Sequence, residues 1–268
     1  MKPIGVFDSG LGGLTVVKEL KRQLPAEDII YLGDTARLPY GTKSPGTVIR
    51  FTLNNILFLL KQNTKLIIIA CNTASSLALE VIRKHFRIPI IGVIQPGAQE
   101  AARITKTKCV GVIGTRATIK SRAYESQIRK IDPEVRVVSQ ACPLFVPLVE
   151  EGWLNRAETI SVAEEYLKPF IKKNHKLDAL ILGCTHYPLL KPVIRKVLGS
   201  EVRLIDSARQ VVSQVEQILR DSQGARRTDT AGRGRCRFYV TDDAEGFSRQ
   251  AVRFLGHRIS KVKRITDV

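Results

Sequence analysis

The sequence predicts an α/β protein of two domains, each built on a mainly parallel sheet. Short apolar runs, many of them β-branched, alternate with amphipathic helical patterns, which is typical of repeated strand–helix–strand units. Two of these runs, Leu66–Ala70 and Ala179–Gly183, each end in a cysteine that hydroxyl-bearing residues follow. The length of 268 residues is enough for one large core or two modest ones.

The predicted strands are runs of four or five mainly apolar residues bounded by polar or small ones. They are Pro3–Phe7, Ile29–Leu32, Leu66–Ala70, Ile90–Val93, Val110–Ile113, Val135–Ser139, Ala179–Leu182 and Val202–Ile205. Helical periodicity between them predicts helices such as Leu14–Gln23, Val48–Lys61 and Ile119–Lys130. After Asp206 the pattern predicts a helix at Ala208–Arg220, a strand at Arg237–Val240 and a helix at Ala244–Leu255.

A duplication of strand and loop patterns sets the predicted domains. The run Gly5–Gly10 and the later run Gly111–Arg116 both pass from a strand into a polar loop and then a helix, at a spacing similar to that of the two cysteines. We expect two pseudo-symmetric, three-layer domains, residues 1–93 with 207–268 and residues 94–206. The tail after Asp206 is expected to pack back on the first half, and the active site to lie in a cleft between the domains.

Cys71 and Cys184 are the main candidates for chemistry. The carboxyl end of a parallel strand is where open α/β sheets bind ligands, and a helix that begins there favours a thiolate. Both are therefore candidate bases or nucleophiles, and in facing domains they would address opposite sides of one ligand. Cysteine also serves as a small buried apolar side chain, and that is the role we assign to Cys109, Cys142 and Cys236.

The glycine-rich segment Asp8–Leu14 is a second candidate ligand loop. It departs from the GxGxxG pattern, because Thr15 stands at the last position, and no Gly-Lys-Ser/Thr follows it. Its glycines still allow backbone to approach a small ligand closely. Asp8 ends a predicted strand as the cysteines do, although an Asp before Ser-Gly also serves as a turn or helix cap.

Composition excludes several other classes. No apolar run approaches the ~18 residues of a membrane span, and Met1-Lys2-Pro3 leads directly into a strand, so we expect a cytoplasmic protein with reduced cysteines. No CxxC or HExxH spacing occurs, so no metal site is expected.

The formal charge of +18 raises the alternative of a nucleic-acid binder. Lys and Arg are spread over most predicted helices, and the densest cluster, Arg220–Arg237, lies in a Gly/Ser/Thr-rich stretch. This cluster has no aromatic residue on which bases could stack. We therefore expect a solvated loop and no nucleic-acid partner.

Four segments together resemble the signature segments of the glutamate racemases, within the aspartate/glutamate racemase family. They are Asp8–Thr15, Gly33–Gly41, Cys71–Ser75 and Gly183–Pro188, in the family's order. The resemblance implies cofactor-independent proton transfer at the α-carbon of glutamate, which supplies D-glutamate for peptidoglycan. It also implies a homodimer. We expect no membrane partner, because no apolar run is long enough to span a bilayer.

The resemblance carries roles onto particular residues. It implies that Cys71 meets the D-enantiomer and Cys184 the L-enantiomer, with Asp8 and His186 assisting them and contacting substrate. It implies that further substrate-binding residues are Ser9, Tyr40, Gly41, Asn72, Thr73 and Thr185. Asp34 and Glu150 occupy positions like those of other acidic residues of the family, and either can instead be a structural carboxylate.

Three interpretations of the sequence compete. The first is a glutamate racemase. The second is another enzyme, either a racemase of a different acidic amino acid such as aspartate or a hydrolase that uses one cysteine as nucleophile. The third is a basic nucleic-acid-binding protein on a racemase-like fold.

Overall fold

The computed structural model describes residues 2–222 and 232–266. Half of the basic cluster Arg220–Arg237, namely residues 223–231, lies outside the described residues.

The strands, numbered along the chain, are β1 (Ile4–Asp8), β2 (Ile29–Gly33), β3 (Leu66–Ile69), β4 (Ile90–Gly92), β5 (Cys109–Gly114), β6 (Arg136–Ala141), β7 (Ala179–Gly183), β8 (Arg203–Ile205), β9 (Cys236–Val240) and β10 (Val262–Arg264). The helices are α1 (Leu14–Gln23), α2 (Pro45–Lys61), α3 (Asn72–Leu77), α4 (Leu79–Ile82), α5 (Ile94–Ile104), α6 (Arg116–Ser121), α7 (Ala123–Ile131), α8 (Phe145–Glu150), α9 (Ala157–Lys173), α10 (Lys191–Leu198), α11 (Ser207–Asp221) and α12 (Ala244–Leu255). Short 3₁₀ turns cover Thr35–Arg37, Tyr40–Thr42, Arg83–His85 and Tyr187–Leu190.

The chain divides into two compact units. The first comprises Met1–Val93 with Ala208–Val268, and the second comprises Ile94–Ser207. Each unit holds one sheet in which every described strand pair is parallel. The predicted α/β class with two parallel sheets is confirmed.

The first unit has a six-stranded sheet in the order β10-β9-β2-β1-β3-β4. Its central strands β1, β2 and β3 are buried at every position, as continuous apolar runs predict for a parallel sheet covered on both faces. The tail after Asp206 supplies β9, which pairs with β2.

The second unit has a four-stranded sheet in the order β6-β5-β7-β8. Renumbered within the unit, this order is 2-1-3-4, and the strands β2-β1-β3-β4 of the first unit have the same order. The strands before Cys71 and before Cys184, β3 and β7, therefore hold equivalent places in two sheets of the same topology.

Several elements differ from the sequence prediction. The helix expected at Ile119–Lys130 is two helices, α6 and α7, because Arg122 between them has a left-handed backbone with φ of 54°. The helix expected from Val48 starts earlier, at Pro45, where Ser44 accepts a hydrogen bond from the Thr47 amide. Strand β10 was not predicted, because Val-Lys-Arg has neither length nor alternation.

Candidate active site

The catalytic candidates of each unit lie where the strand order of its sheet reverses. In the first unit this point lies between β1, which ends at Asp8, and β3, which Cys71 follows closely. In the second it lies between β5, which ends at Gly114, and β7, which Cys184 follows. Such switch points are where open α/β sheets bind ligands.

Cys71 is the N-cap of α3 and is almost fully buried. Its Sγ accepts a hydrogen bond from the Ala74 amide at 3.5 Å and donates one to Ser9 Oγ, also at 3.5 Å. Because the N–H of Ala74 points at the sulfur, the start of α3 stabilises negative charge there. The expected helix after this cysteine is present and short.

Asp8 is fully buried at the end of β1, where the glycine-rich loop Asp8–Leu14 begins. Its Oδ2 accepts a hydrogen bond from the Gly10 amide at 2.9 Å. Gly13 allows the loop to fold over this carboxylate, because a Cβ at Gly13 would lie 2.6 Å from the Cβ of Asp8. The hydroxyl of Tyr31 donates to the Gly10 carbonyl at 2.7 Å and so holds the loop in place.

The pKa of Tyr31 reflects both its burial and the acidic groups near it. Burial raises it well above the usual value, and the nearby Asp8 and Cys71 raise it further. Tyr31 therefore stays protonated and acts as a fixed hydrogen-bond donor to the glycine loop.

The remaining candidates of the first unit lie around these groups. Asn72 and Thr73 occupy the first turn of α3 and are buried. The Tyr40 side chain is buried too, in the same apolar cluster as Cys71. Its hydroxyl donates to Asp34, so this hydroxyl is already engaged within the first unit.

Cys184 has a different environment in the second unit. Its Sγ lies 3.9 Å from Nδ1 of His186, and Nε2 of His186 lies 3.0 Å from Oε1 of Glu150 at the end of α8. Thr185 stands between the cysteine and the histidine and is buried. A 3₁₀ turn follows instead of the α-helix expected directly after this cysteine.

The pKa of His186 follows from this chain of contacts. Burial by itself lowers it, but the hydrogen bonds and charges of Cys184 and Glu150 outweigh burial and raise it to about 10. An imidazolium beside Cys184 stabilises a thiolate, and Glu150 in turn stabilises the imidazolium.

Two cysteines contrast with this pair. Burial raises the pKa of Cys142 well above its usual value, and burial raises that of Cys236 to about 12. Both thiols stay protonated at neutral pH, as packing residues do. Cys109, at the opposite end of β5 from the switch point, is also buried.

Thr115 is the residue at this site that sequence reasoning left without a role. Gly114 of β5 pairs with Gly183 of β7, so the residues that follow them, Thr115 and Cys184, lie opposite each other. In the first unit, Ser9 lies opposite Cys71 in the same way. Its hydroxyl caps α6 by accepting from the Thr118 amide at 3.2 Å. The signal was present in the duplicated segment Gly111–Arg116, because a hydroxyl residue follows both strands.

Within residues 2–222 and 232–266, no group of three His, Cys, Asp or Glu side chains is arranged to hold a metal ion. Over the same ranges, no helix has the length and apolarity needed to cross a bilayer.

Comparison with known proteins identifies a family. The family model described as Asp/Glu/Hydantoin racemase matches residues 4–215. A glutamate racemase of Geobacter metallireducens is 49% identical over 265 residues, which are 99% of this chain and 97% of the relative.

Solved structures give the same result. The glutamate racemase of Francisella tularensis in complex with D-glutamate superposes with a TM-score of 0.91 and 43% identity, covering 98% of this chain and 97% of that one. A glutamate racemase isoform of Bacillus anthracis superposes with a TM-score of 0.93 and 40% identity, with the same coverage of both chains.

Proposed function

Because the chain belongs to the Asp/Glu/Hydantoin racemase family and is a racemase, we propose that it interconverts L-glutamate and D-glutamate without a cofactor. The observation that carries this proposal is the pair of cysteines in equivalent places, one at the switch point of each sheet. The substrate is supported by the similarity to glutamate racemases, one of them crystallised with D-glutamate.

The proposed reaction is a 1,1-proton transfer at the α-carbon. One thiolate removes the α-proton, so the C–H bond breaks and its electron pair stays on carbon as a carbanion-like species. The thiol on the opposite face then gives its proton to that carbon. No covalent bond to sulfur forms, and the two sulfurs end with their protonation states exchanged. A positioned base of this kind contributes ~10²–10⁴-fold in rate.

Each cysteine has its own assisting groups in this proposal. Cys71 acts on the D-enantiomer beside Ser9 and Asp8, and Cys184 acts on the L-enantiomer beside His186, which Glu150 supports. The imidazolium of His186 would stabilise the Cys184 thiolate electrostatically.

The remaining candidates would bind the substrate carboxylates and the developing charge. Hydroxyl, amide and backbone N–H groups suit this task, because preorganised donors are the largest single source of stabilisation for such charge. The residues proposed for it are Ser9, Asn72, Thr73 and Thr185, with the backbone of Tyr40 and Gly41 covering the substrate. The product would serve peptidoglycan synthesis, and we propose that the protein acts as a homodimer.

The test is racemisation by the purified, reduced protein in the presence of a metal chelator and no added cofactor. We expect L-glutamate to lose its circular dichroism signal with wild-type protein and with Cys109→Ser, and to keep it with Cys71→Ser or Cys184→Ser. Cys109 is the matched control, because it is a buried cysteine at the start of β5, the end of that strand away from the switch point.

Other outcomes separate the alternatives. Racemisation of L-aspartate and not L-glutamate would keep the two-cysteine chemistry and replace the substrate. A covalent adduct detected by mass spectrometry at one cysteine during turnover would favour the one-cysteine hydrolase. Full activity of both single-cysteine variants would overturn the mechanism.

A further inference from the structure

Asp34 is a carboxylate placed one strand away from Asp8 and completely enclosed by protein. It follows β2 directly, and its amide donates to the Asp8 carbonyl at 3.0 Å. Its side chain has no exposed surface. A buried carboxylate is costly unless charged and polar donors surround it, so its partners indicate what it does.

Four side chains from separate parts of the first unit contact this carboxylate. Thr241 Oγ1 donates to it at 3.0 Å, Asn55 Nδ2 at 3.1 Å and Arg37 Nε at 2.8 Å, and the Tyr40 hydroxyl donates as well. Hydrogen bonds to an ionised acceptor are about twice as strong as neutral ones. Asp34 therefore ties together α2, the loop after β9 and the turn that carries Tyr40.

The Tyr40 hydroxyl makes its hydrogen bonds within this cluster. It donates to Asp34 and accepts from Asn55 Nδ2 at 3.0 Å. Burial raises the pKa of Tyr40 far above the usual value, and the Asp34 charge adds to that effect, so the hydroxyl stays protonated as a donor.

The ring of Tyr40 connects the cluster to the neighbourhood of Cys71. It packs 6.3 Å from the Phe7 ring, centroid to centroid, and shares an apolar cluster with Cys71 and Ala74. The turn Tyr40–Thr42 contacts α3, the helix that Cys71 caps. A shift of Tyr40 would therefore move the Gly41 backbone relative to Cys71.

Thr241 also contacts the backbone of the loop between β2 and α2, which carries Asp34 and Tyr40. Its Oγ1 accepts from the Ala36 amide at 2.9 Å while donating to Asp34. Next to it, Thr35 Oγ1 donates to the Asp242 carbonyl at 2.7 Å and accepts from the Asp242 amide at 2.8 Å. The segment after β9 thus clamps the start of the loop that ends in the Tyr40–Gly41 turn.

We propose that Asp34, Asn55 and Thr241 are positioning residues that hold the Tyr40–Gly41 turn beside Cys71 and thereby set the affinity for the amino-acid substrate. This inference rests on the proposed racemase function. None of the three side chains acts on the reacting atoms, so their effect reaches the substrate through the backbone of the turn.

The decisive comparison uses three threonine variants. Thr241→Val removes both hydrogen bonds of the hydroxyl, and Thr241→Ser keeps them. Thr64→Val is the matched control, because Thr64 is a nearly buried threonine in the same unit whose hydroxyl donates to the Leu59 carbonyl, away from the cluster. The measurements are the melting temperature, KM and kcat for both glutamate enantiomers.

We expect Thr241→Val to raise KM about tenfold for both enantiomers while kcat stays within about twofold, since misplaced binding groups weaken ground-state and transition-state binding alike. Thr241→Ser is expected to restore the wild-type KM. Thr64→Val is expected to lower the melting temperature and leave KM unchanged. Asp34→Asn should raise KM more than Thr241→Val, because an amide NH₂ would face the donors of Tyr40 and Asn55.

Two results would overturn the inference. One is an unchanged KM in a folded Thr241→Val protein, and the other is an equal KM change in Thr64→Val, which would reduce the cluster to a source of stability. Absence of racemisation by the wild-type protein with either enantiomer would instead refute the proposed function, so the two failures are distinguishable.

Discussion

The two cysteine sites share a position in the sheet and differ in the groups around them. Cys71 caps a helix and contacts the Ser9 hydroxyl and the Ala74 amide. Cys184 precedes a 3₁₀ turn and contacts the His186 imidazole, which a carboxylate supports in turn. The strand order shared by the two sheets thus fixes where each thiol lies, while the groups that contact the thiol differ between the units.

This difference has a chemical consequence. The first site relies on dipoles around Cys71, with the buried carboxylate Asp8 on the neighbouring strand, whereas the second relies on a full positive charge at His186. A neutral donor and a charged one respond differently to substitution and to pH. The two halves of the reaction should therefore be separable by variants that leave the fold intact.

The largest expected effect comes from His186→Asn. We expect kcat/KM to fall about 10²-fold or more, because the Cys184 thiolate loses its charged partner. The fall must be equal in both directions, since the enantiomers have equal free energies. The asymmetry should appear in the isotope effect, which becomes larger for α-deuterated L-glutamate than for the D-enantiomer.

Asp8→Asn is the counterpart in the first unit. It should produce the opposite asymmetry, with the larger isotope effect for α-deuterated D-glutamate. If each variant raised the isotope effects for the two deuterated enantiomers equally, the assignment of one assisting group to each cysteine would be wrong.

The next effect concerns stability and pH. The folded pKa of His186 is about 10, above the ordinary value of ~6.5 for an unfolded chain. Its contribution to stability is therefore complete below the unfolded pKa and is lost as the pH rises through the folded one. The free energy of unfolding of wild type should exceed that of His186→Asn by about 1–3 kcal/mol at pH 6, and the excess should shrink towards pH 10.

Urea unfolding at pH 6, 8 and 10 checks this expectation. Subtracting the free energy of unfolding of His186→Asn from that of wild type cancels the contributions of groups that titrate alike in both proteins. A difference that stays constant over this range would show that His186 does not gain a proton on folding.

Gly13→Ala is expected to disturb the first site alone. The added Cβ would lie 2.6 Å from Asp8 Cβ and 3.0 Å from Ala70 Cβ, so the loop or Asp8 must move. We expect a cost of about 1–3 kcal/mol in stability from overpacking, together with a lower kcat. Wild-type kinetics in this variant would show that the Asp8 position is not critical.

Gly46→Ala should have the smallest effect and the opposite sign. Nothing lies within 4 Å of a Cβ there, and the residue is in the first turn of α2. The substitution should stabilise the protein by up to about 0.5–1 kcal/mol and leave racemisation unchanged. Thermal unfolding and a racemisation assay check it beside Gly13→Ala.

The sequence was informative wherever a local pattern carried the structure. Apolar runs predicted the strands that precede Cys71 and Cys184, because a buried parallel strand needs a continuous apolar run. It was silent on β10, which is short and charged, and on the break at Arg122, which depends on a single left-handed residue.

The supporting contacts were beyond local patterns. Thr241 lies 207 positions from Asp34 along the chain, and Glu150 lies 36 positions from His186. Neither spacing has a sequence signature, because the contacts exist only once the sheets are assembled. The family resemblance supplied Glu150 as a candidate, and only the structure connects Thr241 and Asn55 to Asp34.

The measurement that tests the two-cysteine account most directly is α-proton exchange in deuterated water, followed by NMR for each enantiomer with each single-cysteine variant. The account predicts that Cys71→Ser exchanges the α-proton of L-glutamate alone and that Cys184→Ser exchanges that of D-glutamate alone, with neither variant inverting the substrate. Exchange of both enantiomers by either variant would contradict the assignment of one face to each cysteine.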